Sequence, residues 1–232
     1  MQMLARLRKS IAGGGDPSII ARVQAARLTF LEEANLRDLY EAVLRIDQAG
    51  LPGQIIEAGC ALGGSAIVMA TAKRRMRRMT IYDVFAMIPP PSERDGADVH
   101  ARYAEIVQGK SAGIGGDTYY GYRDNLLSEV RANLAHFGVA PLTHRISMVK
   151  GLFSDTLKID SPVALAHIDA DWFDSVTICL ERIAPRLVKG GALVVDDFET
   201  WSGCTAAVDV YFQPRMAEFD FVRKSRLHIV KR

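Results

Sequence analysis

Four carboxylates close two apolar runs, Ala166-His167-Ile168-Asp169-Ala170-Asp171 and Ala192-Leu193-Val194-Val195-Asp196-Asp197. Each run is short enough to be a buried strand. In open α/β sheets, ligands bind just beyond the carboxyl ends of the strands. Acids gathered there repel one another unless a positive charge sits between them, and a hard divalent cation with oxygen ligands is the usual solution. Asp169-Ala170-Asp171 is also a D-x-D pattern, which in glycosyltransferases binds a metal and a nucleotide-sugar diphosphate. That reading has no use for the second acidic pair.

A second constellation lies earlier in the chain. Glu57-Ala58-Gly59-Cys60-Ala61-Leu62-Gly63-Gly64-Ser65 runs from a predicted strand into a predicted helix. Glycines let the backbone approach a ligand closely, and free amides at a helix start favour an anion. The loop is neither G-x-G-x-x-G nor a lysine-bearing phosphate loop. A smaller anion suits it better, such as an amino-acid carboxylate, with Glu57 facing an ammonium group. Tyr82-Asp83 ends the next strand, where an acid commonly accepts hydrogen bonds from ribose hydroxyls. Ribose, an amino-acid end and no phosphate chain together describe S-adenosylmethionine. The third strand ends at Lys150-Gly151-Leu152-Phe153, where Gly151 allows close approach and Phe153 either walls the adenine or packs as core.

These residues need a scaffold. Ser18–Leu28 and Leu31–Ala49 carry apolar residues at helical spacing, with Leu36, Leu39, Tyr40, Val43, Leu44 and Ile46 forming one stripe. Strands are predicted at Gln54–Ala58, Met79–Val84, Arg145–Lys150, Val163–Asp169 and Ala192–Asp196. Helices at Ser65–Arg75, Asp124–Phe137 and Ser175–Leu187 alternate with them, the last ended by Gly190-Gly191. Phe219–Arg223 and Leu227–Val230 read as a terminal hairpin adding an antiparallel edge strand. The expected architecture is one α/β domain over residues 1–232: a doubly wound, mostly parallel seven-stranded sheet behind N-terminal helices (1–50). An insertion at 85–123 breaks the rhythm, with Pro89-Pro90-Pro91, a short helix at Ala97–Val107 and the tyrosines of Tyr119-Tyr120-Gly121-Tyr122. At a strand's carboxyl end such a segment suits a lid, with tyrosines that either line an acceptor pocket or pack the loop down.

Composition narrows the class. The net charge of +2 argues against nucleic acid as the main partner. The basic cluster Lys73-Arg74-Arg75 and Arg77-Arg78 reads as a solvated helix end. Cys60, Cys179 and Cys204 fit neither a disulfide framework nor a zinc site, so a reducing cytoplasm is expected. Met1–Ser10 lacks the apolar core of a signal peptide, and no run is long enough to span a bilayer. The expected partners are a small-molecule or glycoside acceptor and further copies of the chain, without nucleic acid or membrane.

His167 to Ser175 resembles the H-I-D-x-D-x-Y-x-S signature of the macrocin O-methyltransferase family. Gly190-Gly191 through Asp196-Asp197-Phe198, then Gly203-Cys204 and Ala207-Val208-Asp209, resembles its G-G-x-x-x-x-D-D-Y…G-C…A-V-D stretch. The resemblance covers about Leu28 to Phe212, and the segment from Phe85 to Tyr122 departs from it. It implies a class I, S-adenosylmethionine- and magnesium-dependent O-methyltransferase acting on a sugar hydroxyl of a glycoside, natural product or glycan. Carried over, Asp169, Asp196 and Asp197 match the metal ligands and Asp171 the general base. The cofactor set is Glu57, Gly59, Gly63, Gly64, Ser65, Asp83, Gly151 and Phe153.

The chemistry explains why a metal helps. A carboxylate of pKa about 4 is a poor base for a sugar hydroxyl. A bound cation favours the ionised hydroxyl, leaving Asp171 to take the proton. A phenolic or catechol acceptor would use similar metal chemistry, whereas an amine would not need it. His167 points to the same side of its strand as Asp169, either as a structural residue or to orient a ligand. Trp172 and Trp201 border the acids, as sugar contacts or as packing. His100 is an alternative base, and Asp174 with Ser175 is expected to cap the helix that follows.

Overall fold

The computed structural model describes residues 15–232. The Met1–Ser10 stretch lies outside them. Among the described residues two helices come first, α1 (Ile19–Ala25) and α2 (Glu33–Gln48). The alternation then runs β1 (Gln54–Ala58), α3 (Gly64–Ala72), β2 (Met79–Asp83), α4 (Ala97–Val107), α5 (Leu126–His136), α6 (Pro141–His144) and β3 (Ile146–Lys150). It continues with α7 (Phe153–Thr156), β4 (Val163–Ile168), α8 (Phe173–Ile183), β5 (Leu187–Val195), α9 (Ser202–Phe212), β6 (Phe219–Arg223) and β7 (Leu227–Lys231).

Among the described residues the strands form one seven-stranded sheet in the order β3-β2-β1-β4-β5-β7-β6. Neighbours from β3 to β5 are parallel, and β7 is antiparallel to both β5 and β6. The doubly wound sheet expected from the sequence is therefore present. The terminal hairpin adds an antiparallel edge strand, as expected, and the edge is its first strand. β7 inserts beside β5, and β6 becomes the edge. The burial explains the order: Leu227, His228 and Ile229 are buried, whereas β6 is buried only at Phe219.

Period-two alternation splits the core between the two faces of the sheet. Ile55, Ile81, Leu165 and Val194 pack with Leu36, Leu39, Val43 and Ile67 on one side. Ile56, Ala166, Leu193 and Val195 pack with Val176, Leu180, Ile183 and Val208 on the other. The α2 stripe needs a defined start, and Glu32 with Asn35 provides it through a reciprocal capping box.

Two local expectations change. Gly190-Gly191 does not end a helix: α8 stops at Ile183, and β5 runs through both glycines. The β4–β5 register jumps from Val163↔Leu187 to Leu165↔Ala192, so this glycine segment is a bulge. The basic cluster is a solvated helix end only in part: Arg74, Arg75 and Arg78 are exposed, but Lys73 and Arg77 are not. Lys73 is buried, its Nζ donating to the carbonyls of His144 (2.6 Å) and Arg75 (3.2 Å). Arg77 forms a buried ion pair with Asp47 at 2.5 Å and donates to the carbonyls of Leu51 and Gly53. Arg77 thus ties the α2–β1 turn to the start of β2, and Lys73 ties the end of α3 to the end of α6.

Candidate active site

The strands bring their carboxyl ends to one edge. Gly59 follows β1, Asp83 ends β2, Gly151 follows β3, Asp169 follows β4, and Asp196-Asp197 follows β5. Ile168 is in register with Val195, and the Asp196 amide donates to the Ile168 carbonyl (2.9 Å), so the two acidic segments leave the sheet side by side.

Asp169, Asp171 and Asp197 each present an oxygen to a common point, these atoms all lying within 4.8 Å of one another. Burial and the neighbouring carboxylates push Asp169 and Asp197 well above the usual carboxylate range. Burial and the Asp196 charge push Asp171 up to about 6, against a hydrogen bond from Trp201 Nε1 to its Oδ1 (3.1 Å). Asp197 Oδ2 is buried without a hydrogen-bond partner among the described residues. Converging, mutually repelling oxygens with one orphaned acceptor are the donor set a hard cation fits.

Asp171 is in that trio, while Asp196, expected from the sequence as a ligand beside Asp169 and Asp197, is paired elsewhere. Arg226, in the turn between β6 and β7, donates from Nε to Asp196 Oδ1 at 2.7 Å. His167 Nε2 lies 3.8 Å from the same oxygen. Against the cost of burial, the bonds and charges of His167 and Arg226 hold Asp196 below the usual range.

Glu57 also departs from expectation. It is fully buried and lines neither of the two cavities described below. The sheet register explains its place: Glu57, His167, Val194 and His228 are successive cross-strand neighbours on β1, β4, β5 and β7. Glu57 Oε1 accepts from the Ser65 hydroxyl and faces His167 Nδ1 at 3.2 Å. Burial disfavours a charged His167, but Glu57 and Asp196 on either side raise its pKa well above the ordinary value. A buried polar row thus connects the glycine loop to Asp196. Glu57, His167 and His228 occur at strand positions that would otherwise be apolar, which is the sequence signal for it.

A cavity lies against Gly59, Asp83, Gly151 and Phe153 of the expected cofactor set. Asp83 accepts from the Cys60 amide (2.7 Å) and the Phe85 amide (2.6 Å), one on each oxygen, so each oxygen retains acceptor capacity towards the cavity. Gly63 and Gly64 do not line it. Gly63 has φ +89, and a Cβ added there would stand 2.9 Å from Val130 Cγ1, while the Gly64 amide donates to the Leu28 carbonyl (3.0 Å). These two glycines let the loop pack, and Ser65 lines a second cavity instead.

That second cavity holds all four acids, with Tyr119, Tyr120, Trp172 and Trp201 among its walls. The two indoles meet edge to face at 5.8 Å. Tyr122 instead packs the insertion, its hydroxyl donating to the Ile106 carbonyl (2.6 Å). His100 is exposed and lines neither cavity, and Asp174 pairs with Arg94 instead of capping α8. The caps come from the insertion: Asp95 accepts the Phe173 amide (2.7 Å) at the start of α8, and Asp98 accepts the Ser202 amide (2.9 Å) at the start of α9. The 85–123 segment is thereby docked on the two helices that follow the acids. Ala61, Phe85 and Asp171 have positive φ in this region, an arrangement that clusters at functional sites.

The chain matches the macrocin-O-methyltransferase (TylF) family over residues 23–222. It is 32% identical over 184 residues to 8-demethyl-8-(2,3-dimethoxy-alpha-L-rhamnosyl)-tetracenomycin-C 4'-O-methyltransferase of Streptomyces olivaceus, covering 76% of this chain and 63% of that protein. The chain thus spans less than two thirds of that relative's length. The O-methyltransferase NovP superposes with a TM-score of 0.73 at 23% identity, covering 88% of this chain and 82% of that one. The methyltransferase PaMTH1 of Podospora anserina, solved with SAH bound, superposes with a TM-score of 0.56 at 15% identity, covering 100% and 96%. The fold is that of the class I methyltransferases.

Proposed function

The chain belongs to the macrocin-O-methyltransferase family, and from that premise we propose that it transfers a methyl group from S-adenosylmethionine to a sugar hydroxyl of a glycoside, natural product or glycan, using magnesium or another divalent cation. The observation that carries this reading is the junction of the two cavities: both are lined by Cys60, Ala61, Ile88, Tyr120, Asp169 and Asp171. A donor in the first and an acceptor in the second meet at the acids. The rhamnosyl compound in the name of the Streptomyces olivaceus relative supports a sugar acceptor.

Bound S-adenosylmethionine supplies the electrophilic methyl group. Asp83 receives the ribose hydroxyls, Gly59 and Gly151 let the backbone close on the cofactor, and Phe153 walls it. Asp169 and Asp197, with Asp196 completing the set, would hold a divalent cation, whose charge would favour an ionised acceptor hydroxyl. Asp171 lines both cavities and takes the hydroxyl proton. Its Trp201 bond holds the carboxylate towards the junction, and its raised pKa brings it nearer the operating range of a base. Trp172, Trp201 and the insertion tyrosines offer flat surfaces to the sugar and exclude water.

The test combines binding and turnover. S-adenosylhomocysteine should bind by titration calorimetry. Methyl transfer to a panel of glycosylated acceptors should stop in excess chelator and return with magnesium. Asp171→Asn should cut turnover by about 100-fold or more while cofactor binding persists. Full turnover in excess chelator refutes the metal, near-normal turnover of Asp171→Asn removes it as the base, and no S-adenosylhomocysteine binding refutes the methyl donor.

A further inference from the structure

One cation in the acceptor cavity has no part in the mechanism above. Arg226 reaches from the β6–β7 turn to Asp196, and its side chain is 30% exposed. The turn beneath it is fixed: the Ser225 amide and hydroxyl donate to Asp38 Oδ2 at 2.9 and 2.5 Å, and Asn35 Nδ2 donates to the Ser225 carbonyl at 3.3 Å. The backbone is thus anchored to α2, while the guanidinium lines the cavity, bonded to Asp196 and, through a second nitrogen, to the Ser225 carbonyl at 3.3 Å. Arg102 also lines this cavity, but it is committed to Ser111 and Glu105 within the insertion.

The division of the acids follows Arg226. Three carboxylates turn their oxygens on one another. The fourth, adjacent in sequence to one of them, is drawn away by the guanidinium. An arginine cannot discharge by losing a proton, so it either stays paired or swings aside. A divalent cation is the stronger competitor for a carboxylate beside two others, because it carries twice the charge and takes six or more oxygen ligands.

We propose that Arg226 is the internal counter-cation of the acid cluster: it holds Asp196 until a divalent cation takes that carboxylate in exchange, and so sets how tightly the cation binds. This rests on the reading that the acids hold a cation. It makes Arg226 a positioning residue, acting through Asp196. In the cation-free protein it relieves the repulsion among four acids. Once displaced, the guanidinium has the open cavity before it.

The experiment is a double-mutant cycle on the full chain, read by calorimetric titration with magnesium and with manganese and by thermal unfolding without metal. Arg226→Gln should bind the metal about tenfold more tightly than the wild type, the worth of one displaced charge-assisted hydrogen bond. It should also melt lower without metal, with the gap closing at saturating metal. Arg226→Lys should fall between. In an Asp196→Asn background, Arg226→Gln should change metal affinity less than about twofold, because pairs that no longer interact add independently. Unchanged or weaker metal binding by Arg226→Gln overturns the exchange, and so does an equal effect with and without Asp196. A wild-type chain that binds neither metal overturns the metal reading itself, and the exchange with it.

Discussion

Replacing Gly59 with alanine tests whether the β1 terminus and the acid segment share one close contact. A Cβ on Gly59 would stand 1.8 Å from the Asp169 carbonyl oxygen, and that backbone atom has no rotamer with which to avoid it. Contacts of real Cβ atoms stay beyond 3.0 Å, so the two segments must separate by at least about 1.2 Å. Gly59 also has φ +86, where a side chain adds about 1–2 kcal/mol of strain. With overpacking of about 1–3 kcal/mol, the loss is about 3 kcal/mol. In a chain of this size that lowers Tm by roughly 6–12 °C. Gly50 is the control: it has φ +65 and nothing within 4 Å of an added Cβ, so Gly50→Ala should lose only the strain of about 1–2 kcal/mol, roughly 2–8 °C. The displacement also moves Asp169, so Gly59→Ala should weaken metal binding at room temperature while still folded, and Gly50→Ala should not. Thermal unfolding and metal titration of the two variants decide it. Equal Tm values, or a Gly59→Ala protein with wild-type metal affinity, would refute the argument.

Two further outcomes follow from the buried polar groups. Burial and the positive charge of Lys224 lower His228 to about 4; its ring nitrogens have no hydrogen-bond partner among the described residues, and the nearest acid, Asp38, lies at 4.0 Å. The unfolded chain, with a pKa near 6.5, takes up this proton first, so stability is full above about 6.5 and falls as pH drops towards about 4, by up to about 3 kcal/mol. His228→Leu should flatten that part of a pH series of denaturant unfolding, and an unaltered slope would exclude His228 as its source. Asp95→Ala should remove the cap on the Phe173 amide and lower stability by about 1–2 kcal/mol, and the insertion should become more exposed to hydrogen exchange. Unchanged exchange across 85–123 would show that this cap does not hold it.

Much of the architecture is legible because its signals are local. The apolar stripe of α2 and the short apolar runs ending in acids mark helix and strands without knowledge of their neighbours. The departures share one cause: each depends on a partner far along the chain. Gly190-Gly191 looks like a helix stop, but the register of β5 against β4 makes it a bulge. Gly63 and Gly64 look like ligand-facing glycines, but Val130 and the Leu28 carbonyl are what they accommodate. Helix α9 does not announce its start in the sequence, because the cap on that start, Asp98, comes from the insertion.

The sequence by itself determined that four acids, a glycine loop and Asp83 stand at the carboxyl ends of parallel strands, because strand periodicity and chain order allow no other end. Only the tertiary structure decided what each acid does. Whether a carboxylate turns to its fellow acids or to a cation depends on the field around it, and that field comes from residues distant in sequence. Arg226 and His167 take Asp196, Trp201 orients Asp171, and the buried row through Glu57 occupies a side chain that its strand-end position had offered to the cofactor.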